Sequence, residues 1–402
     1  MKLLAINFGG LGDEVLFLPT LKSIKLAKPT WQITLLTEPR GRAIKQLSRV
    51  IDENIVFDIK KQLKPKDYID LISLIRKGKY DVVLSSGGSS RVSVLLFLTG
   101  IPKRIGYDSG SLSRLLLTDP VPLKRDQYAA WMYHDLVSGL SIDLPPALPQ
   151  IDLEDENLDK MRALLTQERG DSSAPVVLIH PGMSQLALSK GIIKTWSSSN
   201  WGELIGRLIQ EGIDVLLCGG PDDSDTISNI ISYIEAGKMP ALPGSDQAPH
   251  AGSSALAGSD QASHAGSSAL AGAQKAQAQA NDGSWQQAKG KLINAVGKTA
   301  SIQDLAALMR LSDLVACVDS APMHMALALN CRIVALFGPT DPAKLFVESD
   351  KAIALRDPNA ELVDHNFQLS TTAQLEPSVQ IPLDTVFQTV MDQLSRVSNQ
   401  GS

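Results

Sequence analysis

Short apolar runs alternate with longer amphipathic stretches through the first half of the chain. Residues 2–7 read as a buried strand, and a helical run follows in which Val15, Leu16, Leu18, Leu21 and Ile24 share an apolar face. Pro19 inside that run is expected to kink the helix or to mark its true start. Residues 32–37, 54–57 and 81–85 read as further strands, with helices over 41–47 and 69–76 between them. Residues 92–98 form the longest apolar run and read as one buried helix or strand. Strands separated by helices imply parallel pairing in a doubly wound sheet.

The pattern restarts after residue 150. A charged amphipathic helix over 152–168 reads as a bridge between two domains. Strands are expected at 175–180, 214–218, 314–318 and 332–337, with helices at 200–211 and after Pro322. The simplest architecture is therefore two successive open α/β sheets whose strand ends face a shared cleft, where such folds bind ligands. One segment breaks the pattern. Residues 244–257 read GSDQAPHAGSSALA and residues 258–271 read GSDQASHAGSSALA, a tandem copy of a small, polar unit. It has too few large apolar groups to offset its ordering entropy. Residues 236–290 are read as a disordered insertion, and His250 and His264 as copies of one lone histidine rather than metal ligands. The expected division is a domain over 1–150, a second over 151–375 carrying the insertion, and a C-terminal helix and tail over 376–402.

Composition narrows the function. Hydrophobic residues make up 44% and charged residues 20%, a globular balance, and the formal net charge is −5. No basic stripe is present, which argues against a nucleic-acid partner. Cys218, Cys317 and Cys331 are widely spaced and form no zinc-ligand pattern, which favours a reducing compartment. The first apolar run is too short for a signal peptide, and no stretch approaches the roughly 20 apolar residues that span a bilayer. A cytoplasmic location is expected, and peripheral contact with the inner membrane is the one membrane contact left open.

Four clusters carry candidate chemistry. Gly9-Gly10-Leu11-Gly12-Asp13 follows the first strand; it lacks the third glycine of a dinucleotide fingerprint, since that position is Val15, and it lacks the Gly-Lys-Ser/Thr of a Walker loop. It delivers Asp13 to a helix start, either as a cap or as a reactive acid. His180-Pro181-Gly182-Met183-Ser184 follows an apolar strand, with Lys194, Trp196 and Trp201 beyond it; Lys194 is a point cation suited to phosphate. Asp319-Ser320-Ala321-Pro322-Met323-His324 lies between a strand and a helix, where Ser320 or Asp319 suits the cap and free N–H groups make an anion site. Phe337-Gly338-Pro339-Thr340 ends the last strand sharply.

In this order the clusters resemble glycosyltransferase family nine, the lipopolysaccharide heptosyltransferase family. The shared features are Gly-Leu-Gly-Asp followed by Leu18-Pro19, Lys194-x-Trp196 with Trp201 beyond, Gly219-Gly220-Pro221, Asp-Ser-x-Pro-Met-His at 319–324 and Phe-Gly-Pro-Thr at 337–340. The resemblance runs from residue 1 to about residue 345, broken by the repeat. It implies the GT-B fold, two Rossmann-like domains with the acceptor on the first and the donor on the second. It also implies sugar transfer with inversion from a nucleotide-diphosphate sugar to a glycan or lipid-linked acceptor, with no obligatory metal or other cofactor.

The resemblance assigns roles residue by residue. Asp13 matches the general base. Lys194 matches a contact to donor phosphate or sugar, and Ser184 falls in the same donor region. Asp223 matches the acid that holds the ribose, with Asp222 as an alternative. Asp319, Ser320 and Ala321 match the sugar and diphosphate motif, with Pro322, Met323 and His324 completing it. Gly10, Gly12, Arg91 and Lys124 are the candidate acceptor contacts, with Arg104 and Arg125 as further cations. The chain departs from the family at Ala321, where glycine is usual, and at Asn330-Cys331-Arg332, where Gly-x-Pro is usual. Two other readings stay open: a nucleotide-sugar binding protein without transfer activity, and another GT-B enzyme such as a sugar-nucleotide epimerase.

Overall fold

The computed structural model describes residues 1–59, 61–62, 64–182, 194–236, 289–359, 362 and 379–398. The first unit runs β1 (Lys2–Ile6), α1 (Leu11–Ala27), β2 (Gln32–Thr37), a 3₁₀ helix (Pro39–Leu47), β3 (Glu53–Val56), α2 (Pro65–Lys77), β4 (Val82–Ser85), α3 (Ser90–Thr99), β5 (Lys103–Asp108), α4 (Ser111–Leu116), β6 (Asp119–Pro122) and α5 (Ala129–His134). The helix α6 (Asp155–Arg169) leads into the second: β7 (Val176–His180), α7 (Ser198–Gln210), β8 (Asp214–Leu217), α8 (Ser224–Glu235), β9 (Leu292–Asn294), α9 (Ile302–Leu311), β10 (Leu314–Val318), α10 (Ala321–Ala328), β11 (Ile333–Phe337), α11 (Pro342–Leu345), β12 (Ala352–Arg356) and α12 (Leu383–Ser398).

Each unit holds one six-stranded sheet, in the orders β3-β2-β1-β4-β5-β6 and β12-β11-β10-β7-β8-β9. Every pairing is parallel. The chain is α/β with two doubly wound sheets. Strand order reverses between β1 and β4 and between β7 and β10, so a crevice opens at the carboxyl ends of those strands. β1, β7, β10 and β11 are almost wholly buried, as central parallel strands covered on both faces should be.

One apolar core runs from the inner face of the first sheet, past Met161 and Leu165 of α6, to the inner face of the second. Separate clusters fill the two outer faces, one beneath α2 and α3, the other beneath α7, α8 and α12. The hinge is also clasped by polar groups. Gln303 donates to the backbone carbonyls of Gln46 and Asp152 and accepts from Glu154 N, while Lys160 and Asn157 of α6 bond the Asp304 carboxylate at 2.7 and 2.8 Å. Trp196 and Trp201 pack edge to face at 5.1 Å in the outer core of the second unit.

The structure corrects two expectations. Pro19 does not mark the start of α1, because the helix begins eight residues earlier, at Leu11, and continues through the proline to Ala27. Burial of Val15, Leu16, Phe17, Leu18 and Leu21 on all sides outweighs the lost backbone hydrogen bond. The apolar run at 92–98 lies in α3 and is not wholly buried, since Val94, Phe97 and Leu98 face solvent. The tandem repeat and most of the segment read as disordered lie outside the described residues; that segment connects α8 to β9. Among the described residues no helix is long and apolar enough to cross a membrane.

Candidate active site

Asp13 sits in the first turn of α1, three residues after the cap position Gly10. It is therefore not the cap residue itself, although its carboxylate accepts from Gly10 N at 2.9 Å and so serves the helix end. Gly9 must lack a side chain, because a Cβ there would fall 2.2 Å from Asp13 Cβ. Asn7, at the end of β1, donates to the Asp13 carbonyl at 3.2 Å and accepts from the Ser86 hydroxyl at 2.8 Å, which ties the ends of β1 and β4 together. The carboxylate is half-buried and also meets the Tyr133 hydroxyl. Burial, and then the charge of Asp13, push the Tyr133 phenol well above its ordinary range, so it stays protonated and donates. Tyr133 is held edge to face on Phe17 at 5.7 Å.

Next to Asp13 lies a second, hidden carboxyl. Glu14 is almost fully buried, and its carboxyl is raised well above its ordinary value. Burial is the main cause; the charges of Asp13 and Glu38 add to it and the Asn7 side chain opposes it. Glu38 pairs with Arg40, whose guanidinium lies 3.6 Å from where a Gly10 Cβ would stand.

On the other wall, three sequence clusters meet at one side chain. Asp319, at the end of β10, accepts from Lys194 Nζ and from Thr340 Oγ1, each at 2.6 Å. The first partner comes from the Lys-x-Trp motif and the second from the Phe-Gly-Pro-Thr turn. Burial alone would raise the Asp319 carboxyl, but Lys194, His324 and Thr340 outweigh it and hold the carboxyl below the usual aspartate range. Charge–charge attraction in a buried site persuades Asp319 to stay ionised, and the pair aims the ammonium. Ser320 is the cap position of α10, yet its hydroxyl turns back to the Val318 carbonyl at 3.2 Å. The first turn of α10 thus has no side-chain cap. Pro322 and Met323 pack inward; Pro322 has no N–H to offer, and that of Met323 donates to the Ser320 carbonyl at 3.0 Å.

The two walls touch. A Cβ on Gly12 would lie 2.7 Å from His324 Cδ2 and 3.5 Å from Ala321 Cα, so α1 and α10 approach as closely as a glycine permits. His324 is buried, and burial lowers its pKa against the opposing pull of Asp319 and Asp13. Its Nδ1 has no hydrogen-bond partner among the described residues. Asp13, His324, Asp319 and Lys194 therefore form one electrostatic cluster across the cleft.

Asp223 lies at the third strand end. Its carboxylate accepts from Gly220 N at 2.7 Å and stands 3.7 Å from His180 Nε2. Gly182 permits this, since a Cβ there would fall 1.8 Å from Asp223 Oδ1. Ser184 lies outside the described residues. The acceptor candidates are more scattered. Lys124 turns to Asp135 at 3.7 Å, and Arg91 is exposed in the first turn of α3. Arg125 comes nearer the Gly87-Gly88 loop, 3.6 Å from where a Gly88 Cβ would stand. Tyr133, Thr340, Glu14 and Arg40 were not singled out from sequence. Only Thr340 carried a signal, as part of a motif quoted for its turn.

The model of "Glycosyltransferase family 9 (heptosyltransferase)" matches residues 69–239 and 260–369, downstream of the Asp13 loop. Lipopolysaccharide heptosyltransferase 2 of Salmonella typhimurium is 23% identical over 367 residues, covering 89% of this chain and 88% of that protein. Two solved structures share the fold. A glycosyltransferase family 9 protein of Veillonella parvula aligns with a TM-score of 0.68 at 20% identity, covering 98% of this chain and 97% of its own. The ADP-heptose lps heptosyltransferase II of E. coli aligns with a TM-score of 0.66 at 20% identity, covering 99% and 100%. Since the family match takes in strands β4 to β6 of the first sheet, the whole second sheet and the cluster around Asp319, this chain belongs to glycosyltransferase family 9, the heptosyltransferase family, and is a glycosyltransferase of the GT-B fold.

Proposed function

We propose that the protein moves a heptose-like sugar from a nucleotide-diphosphate donor to a hydroxyl of a cell-envelope glycan or lipid-linked acceptor, with inversion at the anomeric carbon. The observation that carries this reading is the approach of Asp13 on one wall to the Lys194–Asp319–His324 cluster on the other. A half-buried carboxylate facing a fixed cation is what a single displacement needs. The acceptor oxygen attacks the anomeric carbon and gives its proton to Asp13. The bond from that carbon to the diphosphate oxygen breaks, and the diphosphate leaves with its electron pair. Lys194 and the uncapped start of α10, where Ser320 and Ala321 carry backbone N–H groups, meet the charge where it develops. Asp319 and Thr340 fix Lys194 rather than touching the sugar, and His324 offers its ring to the donor.

In this reading Asp223 holds the ribose and Ala321 lines the diphosphate. Gly10, Gly12, Arg91 and Lys124 contribute to the acceptor side, and Arg40 joins them beside Gly10. The E. coli relative's ADP-heptose makes an adenine nucleotide the first donor to try. The enzyme would work in the cytoplasm, or at the inner face of the membrane that carries its acceptor. A thermal-shift panel of ADP-, UDP-, GDP- and dTDP-sugars tests it, since a ligand of the folded state raises the melting temperature. One nucleotide class should stand out, and its shift should vanish in Lys194→Ala. A flat panel, with no transfer from any of the four, contradicts the reading.

A further inference from the structure

We propose that the outer face made by α2, α3 and α4 seats the protein on an anionic lipid bilayer. Among the described residues fifteen large hydrophobic side chains are exposed, and eight of them lie on these three consecutive helices. They are Tyr68, Ile69 and Leu74 of α2, Val94, Phe97 and Leu98 of α3, and Leu112 and Leu115 of α4. The exposure is substantial, at 65% for Ile69, 50% for Phe97 and 78% for Leu115. All three helices cover the same face of the first sheet, and α3 packs against both of the others. Single exposed apolar residues are ordinary, whereas a group of them on one face marks an interaction surface.

The face is built rather than loose. The Arg76 guanidinium reaches from α2 to the carbonyls of Leu98 and Thr99 at 2.7 and 3.2 Å, closing the C-terminal end of α3. Beside it a groove of about 500 Å³ runs between Ile69, Ile72, Ser73 and Lys77 of α2 and Leu98 of α3. The Arg104 guanidinium lies over the Phe97 ring, 5.6 Å from its centre.

Charge selects the occupant. Residues 64–116 carry nine Lys and Arg against four Asp, a local charge of +5 in a chain whose total is −5. Lys64, Lys66, Arg76, Lys77, Lys79, Arg91 and Arg114 are exposed there. Two of the acids are already engaged, Asp67 with Lys61 and Asp108 with Arg114. Cations interspersed with exposed aliphatic groups match a negatively charged lipid surface, with apolar tips entering the headgroup boundary and long basic side chains reaching the phosphates. A second copy fits poorly, because two-fold pairing of this face would set the basic patch against itself.

Co-sedimentation of the full chain with vesicles tests the proposal independently of transfer. Phosphatidylethanolamine–phosphatidylglycerol vesicles are expected to bind at least about tenfold more protein than phosphatidylcholine vesicles, and added salt should weaken the binding. The triple variant Ile69→Asp, Phe97→Asp, Leu115→Asp should lose that binding while keeping the wild-type melting temperature. If its melting temperature falls, Lys66→Glu with Lys77→Glu gives the same reading from the charged side. Wild-type protein left in the supernatant, equal binding to both vesicle types, or variants that bind like wild type would overturn the proposal. So would a dimer in solution that either set of substitutions dissociates.

Discussion

Gly12 and His324 meet across the cleft at a spacing that leaves no room for a methyl group: a Cβ on Gly12 would come 2.7 Å from His324 Cδ2. One residue belongs to the first turn of α1 and the other to α10. The contact sets the separation between the proposed base and the proposed phosphate grip.

The sign of a Gly12→Ala substitution follows from that contact. Within a helix, alanine for glycine ordinarily gains about 1 kcal/mol. Here the ring edge of a buried histidine must move, and overpacking of this kind costs about 1–3 kcal/mol. Thermal unfolding should show a lower melting temperature, with a loss of transfer that exceeds the loss of donor binding. A melting temperature equal to or above wild type would mean that the two walls are not in contact.

Lys194→Met should be among the most damaging single changes to stability in the second unit. It leaves the Asp319 carboxylate buried without its cation, which costs about 3–5 kcal/mol. The double variant with Asp319→Asn should recover most of that loss, since a neutral amide needs no counter-charge. Urea unfolding of the two single variants and the double measures the coupling. The pH dependence has a definite sign. Asp319 is held below its ordinary range in the fold, despite burial, by Lys194, His324 and Thr340. Its contribution is present above the ordinary aspartate pKa and drains away as pH falls through the lower folded value. Asp319→Asn should therefore flatten the acid side of the stability curve.

How much of this was legible beforehand depends on the kind of residue. The strands of both sheet centres, such as Leu314–Val318, were plain because a parallel strand covered on both faces is one apolar run. The last two strands of the first sheet, Lys103–Asp108 and its edge neighbour Asp119–Pro122, were not, because their mixed polar sequence carries no such run. Lys194 and Asp319 were both nominated as donor contacts, yet nothing in their spacing said that they bond each other. Tyr133 was invisible for the same reason: its tie to Asp13 comes from packing α5 against α1. Arg40 looked like any surface cation until the turn after β2 brought it beside Gly10.

Glu14→Gln should stabilise the protein, and more so as pH rises. The Glu14 carboxyl is raised by burial, then by Asp13 and Glu38, so the fold binds its proton more tightly than the unfolded chain does. Below the ordinary glutamate pKa both states are protonated and the residue is neutral in effect. Between that value and the raised one, stability falls as pH increases, because folding must hold a proton that the unfolded chain has released. Melting temperatures of wild type and variant should converge near pH 4 and separate by pH 8. A variant that is less stable at pH 8 would contradict the neutral, buried state of Glu14.

Tyr133→Phe removes the phenol that donates to Asp13 and leaves the ring on Phe17. A hydrogen bond to a charged group is worth about 1.5–3 kcal/mol. A fall of about tenfold or more in the transfer rate is expected, with donor affinity unchanged in a binding titration. Equal rates would show that Asp13 is positioned without it.

The most direct test is the transfer rate of Asp13→Asn, measured beside its affinity for the donor nucleotide. The amide keeps the shape of the side chain but cannot take a proton from an attacking hydroxyl. A positioned base contributes about 10²- to 10⁴-fold, so the rate should fall by that much while donor affinity stays within about twofold. Transfer that persists near the wild-type rate contradicts a base at Asp13 and, with it, the single-displacement reading of the cleft.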